Sequence, residues 1–554
     1  MKLTKGFDLL ATAPDGVARL RELILSLAVR GMLVPQDPGE EPASVLLERI
    51  RAERHRLNVG QQLELPISDD EVPYAIPASW QWVHLPDIYY GISPSSKKLL
   101  SSKVQESGEV PVVDQGKRNI AGYTDETSLR ISIPGPVVIF GDHTTEVKYV
   151  DFDFVAGADG VKILRPLLQE ERFFYHQIRS YRLEDRGYAR HFKVLNAKLY
   201  ALPPLAEQSR ISSKVDELMR LCDELESRGH LEAEQHARLT TTLLEALTAS
   251  DSPHALAENW SRVAAHFDLL LDRPEAVDAL EQTIVQLAVR GLLVAQNAND
   301  EAVSDLLERI RVAKDRSIAQ GEMKRDKPLP AIADEEKPFA LPEGWEWARF
   351  GDVVQISSGV TLGRKTPLKD PVSLPYLRVA NVQRWHLVLS EVKDVIIDRA
   401  EIERFRLLRH DLLITEGGDW DKVGRTCLWR DEIDLCLHQN HIFKARGLID
   451  QWCPEWAELF LNSPDARAYF ASSAKQTTNL ASINMSELKR CVFPIPPAEE
   501  QTLIVARVSE LRQLCADLRA RLTDRQACQA NFASALVEQT AAACPDEGRL
   551  KLAA

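Results

Sequence analysis

The sequence predicts an α+β protein: two α/β heads separated by two long antiparallel, coiled-coil-like helices, built as an internal pseudo-two-fold repeat. Three observations carry this. First, Leu202-Pro203-Pro204-Leu205-Ala206-Glu207-Gln208 returns as Ile495-Pro496-Pro497-Ala498-Glu499-Glu500-Gln501. Second, each copy opens a polar stretch with a narrow apolar seam. Ile211, Val215, Leu218, Cys222 and Leu225 form it in the first copy, and Ile504, Val508, Leu511, Cys515, Leu518 and Leu522 in the second. Alternating spacings of four and three mark a helix packed on another long helix. Third, Gln286-Leu287-Ala288-Val289-Arg290-Gly291 answers Ser26 to Gly31, and Leu306 to Arg311 answers Leu46 to Arg51 at the same offset. The period is too long for a solenoid, so whole domains are duplicated.

Length and composition set the frame. A chain of 554 residues is too long for one ordinary domain and predicts roughly three to five units. Its 44% hydrophobic and 27% charged content is that of a globular protein. Met1 to Gly6 leads into a polar helix rather than a signal peptide, and no run of eighteen apolar residues occurs. A cytoplasmic location is expected, with no membrane partner. The eight cysteines form no CxxC pair and read as reduced thiols, not disulfides or a zinc site. The net charge of −14 looks hostile to nucleic acid, but it is unevenly placed. Ile76 to Tyr200 holds 16 basic against 15 acidic residues, and Ala340 to Ile495 holds 20 against 21. The acidic excess, 32 against 46, lies in the helical remainder. An acidic total therefore does not exclude DNA, because local fields decide contacts. It does predict weak binding by the bare chain.

Taken in order, residues 1–75 form an N-terminal helical segment. Val17, Leu20, Leu23, Ile24, Leu27 and Ala28 share one apolar face. Gly31 is placed to end that helix and Pro35 to prevent its continuation. A shorter helix follows, with Ser44 as N-cap and Leu46, Leu47 and Ile50 as its buried side. Residues 76–201 form the first head, opened by Ile76-Pro77-Ala78-Ser79-Trp80-Gln81-Trp82. Strands are expected at Val110–Val113, Pro136–Phe140 and Val161–Leu164. Residues 202–339 hold the first long helix and the repeat of the N-terminal segment. Residues 340–494 form the second head, opened by Leu341-Pro342-Glu343-Gly344-Trp345-Glu346-Trp347. Its strands are expected at Val353–Ile356, Leu412–Ile414 and His441–Phe443. Residues 495–554 are the second long helix. The heads align poorly with each other, so similar struts carry divergent binding surfaces.

At this point the text resembles the specificity (S) subunits of type I restriction–modification enzymes, over nearly the whole chain. The paired Pro-Pro helix starts, each closing a block begun near Trp-x-Trp, carry most of the resemblance. Lys475 to Met485, Thr415 to Asp419 and His438 to Ile442 look like parts of a target recognition domain of that family. In the first head, Phe140 to Thr144 and Gly187 to Lys193 are similar. The resemblance implies a subunit that reads double-stranded DNA without catalysis of its own. It would sit between two methyltransferase (M) subunits that bind S-adenosylmethionine and methylate adenine. Restriction/translocase (R) subunits would join them, with ATP and Mg on the partner chains and no cofactor on this one. The N-terminal segment is longer than in many members, and no copy of Ala-Val-Arg-Gly follows the second long helix. If the repeat is circular, residues 1–75 fill that vacancy and close the two-fold that two identical M subunits need.

Reading bases calls for Arg, Lys, Asn, Gln and small hydroxyls on turns that reach a groove; positioning calls for cations on phosphates. In the first head the candidates are Lys97, Lys98, Lys117, Arg118, His143, Arg190, His191 and Lys193. In the second they are Lys422 and Arg425 on a hairpin, then Gln476, Thr477, Thr478, Asn479 and Asn484. Against each stands a plain alternative: a solvated charge cluster, a polar turn or local packing. His438 and His441 lack a third ligand at zinc spacing, so no metal site is assigned. Asp142-His143-Thr144 has no arranged nucleophile. No Asn/Asp-Pro-Pro-Tyr/Phe, Gly-x-Gly-x-x-Gly or Walker A motif occurs, so no catalytic residue is assigned. Two rivals are carried: a coiled-coil scaffold that binds only proteins, and a metal nuclease built from Asp411, Glu416 and Lys422.

Overall fold

Two helices dominate the computed structural model, Leu205–Thr248 of 44 residues and Ala498–Ala542 of 45. Residues 10–59, 66–94, 98–157, 160–181, 183, 190–250, 252–363, 367–418, 422–476 and 481–542 are described. The chain divides into Met1–Ala233 with Arg525–Ala554, and Glu234–Asp524, so both boundaries fall inside the long helices. The seam expected on each helix is the buried one: Ile211, Val215 and Cys222 in the first unit, Ile504, Val508, Cys515 and Leu522 in the second.

In the first unit, helix Gly16–Val29 buries Leu20, Leu23, Ile24, Leu27 and Ala28. It stops as its glycine predicts. Gly31 takes φ +70°, its N–H bonds Ala28 O, and Met32 N–H bonds Leu27 O, a paired C-terminal cap. A Cβ on Gly31 would lie 2.5 Å from Pro77 Cγ, so this glycine also lets the opening of the head pack closely. Gly291 repeats the arrangement at φ +69°, with Pro342 Cγ 2.4 Å from the same point. The second helix starts at Ala43 after Pro42, which corrects the expected Ser44 cap. Ala43 N–H is bonded by Ser79 O at 2.9 Å, so the first turn is satisfied from the head.

Each core draws on both long helices. Leu10, the first two helices and the start of the first long helix share a cluster with Ala533 and Val537 of the second. In the second unit, the repeated helices Pro274–Val289 and Val303–Ala319 share theirs with Leu244 and Leu247 of the first long helix.

Each head is tied off by its own two ends. Gln81–His84 pairs antiparallel with Leu199–Leu202, and Glu346–Arg349 with Val492–Ile495, just before the long helices begin. Inside, the heads share one sheet order. In the first it runs Tyr89–Ile92, Val161–Pro166, Val137–Gly141, Val147–Val150. In the second it runs Val354–Ser358, Ile442–Gly447, Leu412–Thr415, Thr426–Leu428. The strands expected from sequence are all present within a few residues. What differs is the smaller sheet, four short strands in the first head and three in the second, built round Pro371–Leu377.

A buried node joins the duplicated motifs. Glu207 accepts from Trp80 Nε1 at 2.9 Å and Gln36 Nε2 at 2.5 Å; Glu500 accepts from Trp345 Nε1 at 2.9 Å and Gln296 Nε2 at 3.2 Å. Burial raises both carboxyl pKa values, against the pull of these donors. From sequence these glutamates are first-turn helix signals; folding also makes them the meeting point of block, head and long helix.

Candidate nucleic-acid interface

Several of the described residues singled out from sequence lie in loops joined by hydrogen bonds to the end of the central strand of each four-stranded sheet. In the second head, strand Leu412–Thr415 is buried throughout and ends at Thr415, whose hydroxyl bonds Lys422 O and accepts from Arg425 N–H. Those bonds hold the turn carrying Lys422 and Arg425, both partly exposed. Arg425 is further set by Gln383 Oε1 at 2.6 Å. Beyond Thr415 the chain leaves the sheet, and Gly417–Gly418 pairs with Ala481–Ser482, which pairs with Lys475–Gln476. These three short strands form a ribbon beside the Lys422 turn. Thr477, Thr478 and Asn479 lie outside the described residues, as does the Gln476 side chain. Asn484 is exposed and caps helix Met485–Arg490, accepting from Ser486 and Glu487 N–H while Glu487 accepts its own N–H.

His438-Gln439-Asn440-His441 crosses the same end. His438 points inward: its Nδ1 meets Ile442 O at 3.0 Å, and burial with the Lys444 charge lowers its pKa to about 3. His441 points outward and its Nδ1 meets Glu416 Oε2 at 2.6 Å. Asp411 is fully buried and takes Arg446 on both oxygens, at 2.6 and 2.7 Å. Asp411 and Glu416 therefore serve separate partners.

In the first head the equivalent end collects four loops. Lys117 and Arg118 are exposed on a turn held from beneath by buried Lys148, whose ammonium bonds Arg118 O at 2.5 Å and Asp114 at 3.3 Å. Burial lowers the Lys148 pKa, the Asp114 charge opposing it. His143 is partly buried, its N–H bonded to Gln115 Oε1. Arg190 and Lys193 are exposed; His191 between them is buried, with Nδ1 3.1 Å from Asp142 O. Lys98 is exposed on a short strand paired with Ala156–Gly157, and Lys97 lies outside the described residues. His191 and Asn484, grouped by sequence with the cations, each hold a place in the framework of the fold.

One correspondence between the heads is carried by backbone bonds alone. Gly141 and Thr415 hold the same register against the neighbouring strand, so Asp142 and Glu416 are equivalent. Asp142 N–H bonds Gly160 O and its carbonyl accepts from His191; Glu416 N–H bonds His441 O and its carbonyl accepts from Ile483. The two heads share this frame while their side chains diverge. Such a frame can hold variable polar groups at the rim of a sheet, which suits a surface that discriminates among base edges.

Residues 342–525 match the family model described as the type I restriction modification DNA specificity domain. The chain is 33% identical to the type I restriction enzyme EcoAI specificity subunit of Escherichia coli, covering 94% of this chain and 93% of that protein. It is 31% identical to the EcoEI specificity subunit of Escherichia coli over the same shares. A crystal structure of the HsdS subunit from Thermoanaerobacter tengcongensis aligns at 16% identity and a TM-score of 0.35, covering 85% of this chain and 98% of that one. Among the described residues, no helix is long and apolar enough to cross a membrane.

Proposed function

This chain belongs to the specificity subunits of type I restriction–modification enzymes, and on that premise we propose that it reads a split DNA target, one part per head, without catalysing anything itself. The observation that carries this is the shared frame at the sheet end of both heads, dressed with different side chains. One scaffold holding two unlike rims is what a two-part target with unlike halves requires.

In this reading Lys98, Lys117, Arg118, Arg190 and Lys193 in the first head, and Lys422 and Arg425 in the second, supply phosphate and base contacts. The turns that carry Lys117, Arg118, Lys422 and Arg425 are held from beneath, which supports it. Lys97, His143, Gln476, Thr477, Thr478 and Asn479 are proposed to contact DNA as well, from the sequence alone. His191 and Asn484 act by holding the loops that carry these groups. The chain works in the cytoplasm with two M subunits, which bring S-adenosylmethionine, and with R subunits, which bring ATP and Mg. Leu221 and Leu239 of the first long helix are exposed, and so are their repeat counterparts Leu514 and Phe532. Matched apolar side chains on both long helices support docking of two copies of one partner.

The test is base-resolved adenine methylation in cells carrying this chain with its neighbouring methyltransferase, against cells lacking the chain. The expected result is a methylated motif of two short specific parts round a fixed gap, present only with the chain. An unchanged methylome, followed by no sequence-specific binding from the purified complex, would overturn the proposal in favour of a protein scaffold.

A further inference from the structure

The acid at the end of the central strand has different work in the two heads. In the first, Asp142 is buried. Its Oδ1 accepts Phe192 N–H at 2.8 Å, capping helix Phe192–Asn196, and its Oδ2 lies 3.7 Å from Lys162 Nζ. It is a structural group. In the second head Asn484 caps the matching helix Met485–Arg490, so Glu416 is relieved of that task. Its side chain is 29% exposed, and its partner His441 is 55% exposed. His441 stands where the first head has Gly160, a residue at φ +97° whose Cβ would lie 2.5 Å from Gln115 Oε1. The second head thus keeps an acid in the frame, frees it from the frame's needs, and adds an imidazole that steers it.

From this, and resting on the DNA-reading function above, we infer that Glu416, oriented by His441, reads an exocyclic amino group, cytosine N4 or adenine N6, in the part of the target addressed by the second head. A carboxylate is an acceptor only, so His441 Nδ1–H donates to Oε2 and leaves Oε1 to accept from a base. Only cytosine and adenine present an amino donor in the major groove; guanine and thymine offer acceptors there, which a carboxylate repels. An acid among Lys422, Arg425 and Lys475 gains nothing from phosphates. It acts by excluding wrong bases rather than by adding affinity. His441 is a positioning residue that limits the carboxylate to one direction.

The test uses the full chain with its methyltransferase in cells, read by base-resolved methylation. The wild type first yields its two-part motif; if it yields none, the parent reading fails. Glu416→Ala and the near-isosteric Glu416→Gln are then expected to relax one position, a cytosine or adenine, in one part only. Discrimination there falls on the order of tenfold and the other part is unchanged. His441→Gln relaxes the same position less. A wild-type motif retained at every position by both Glu416 variants overturns the inference while leaving the DNA-reading function intact. So does loss of methylation at every site alike, because a base reader relaxes one position and does not disable the subunit.

Discussion

Arg21 and Glu281 hold the same place in the two repeated helical blocks and carry opposite charge. Arg21 reaches Asp223 at 2.6 Å and Glu226 at 2.8 Å on the first long helix. Glu281 receives Arg512 and Arg519, each at 2.7 Å, on the second. Glu226 and Arg519 are themselves counterparts in the repeat, so both sides of the contact are inverted. Each block therefore attracts its own long helix and repels the other. Burial alone would raise the Glu281 carboxyl, but the hydrogen bonds from Arg519 and Arg512 outweigh it and leave the pKa lowered. We expect Glu281→Arg to destabilise the second unit by about 2–3 kcal/mol, since three cations then meet at a half-buried site. Arg519→Glu in the same chain should restore much of the loss. A double-mutant cycle by urea unfolding checks this. Arg21→Glu should cost less and lose its effect in high salt, because its partners lie in solvent.

The node glutamates give a sharper stability prediction. Glu207→Ala leaves the buried Trp80 indole N–H without its acceptor, and Glu500→Ala does the same to Trp345, while the exposed Gln36 and Gln296 amides keep Gly31 O and Gly291 O. Each variant should lose about 1–3 kcal/mol, the cost of stranding one buried donor. Gly31→Ala and Gly291→Ala attack the same junction through backbone strain and the prolines behind it. We expect each to cost about 2 kcal/mol or more. Denaturant midpoints of the four variants would settle both figures.

Acid should unlock the second head at a nameable place. Arg349 is buried and holds Glu336 on both oxygens, as well as Pro330 O, Ala331 O and Arg490 O. The Arg349 hydrogen bonds are the chief reason that the Glu336 pKa lies at about 2. A carboxyl whose folded pKa is depressed stabilises above its unfolded value and loses that contribution as pH falls through the folded one. Relative to Glu336→Gln, the wild type should be more stable by about 1 kcal/mol at neutral pH, the glutamate being partly screened by solvent. The difference should shrink between about pH 4.5 and pH 2. Paired unfolding curves across that range measure it.

The turn cations should show themselves through salt. Lys117→Ala with Arg118→Ala in the first head, or Lys422→Ala in the second, removes charge from turns that remain held by Lys148 and Thr415. Binding by the assembled complex should weaken for all sequences alike, and the dependence of log K on log salt should flatten by about 0.9 for each phosphate no longer neutralised. A change in preferred sequence with unchanged salt dependence would instead assign these residues to bases.

The strut is testable by length. Inserting or deleting one helical turn within residues 225–240 of the first long helix should change the unread gap between the two parts of the motif and leave both parts as they were. Methylation mapping of the insertion variants gives the answer directly.

Much of this architecture is legible in the chain because it rests on periodicity. The seam from Ile211 to Leu225, the helix stops at Gly31 and Gly291, and buried runs such as Leu412–Ile414 are local signals. What hides is whatever depends on residues distant in sequence. The Glu207 node needs Gln36 and Trp80 together, and nothing near Glu207 announces either. Ser44 looks like a cap until Ser79 O supplies the bond instead. The kinship of the heads is written in hydrogen bonds of the main chain, so Asp142 and Glu416 match while their neighbours do not. His191 reads as a surface contact because its neighbours Arg190 and Lys193 are charged, yet it alone turns inward.

Ala533 and Val537 belong to the core of the first unit, and this has a consequence for biosynthesis. Residues 234–524 are continuous and can close as they emerge, whereas the first unit waits for Arg525 onward. About 290 residues separate the two pieces, so at roughly 5–20 residues per second the ribosome leaves that core open for about 15–60 s. During that interval the part of the core that Ala533 and Val537 cover stays open. The unit begun first is thus the last to be completed, and a nascent chain that stalls late would carry a finished second unit and a first unit still lacking Ala533 and Val537.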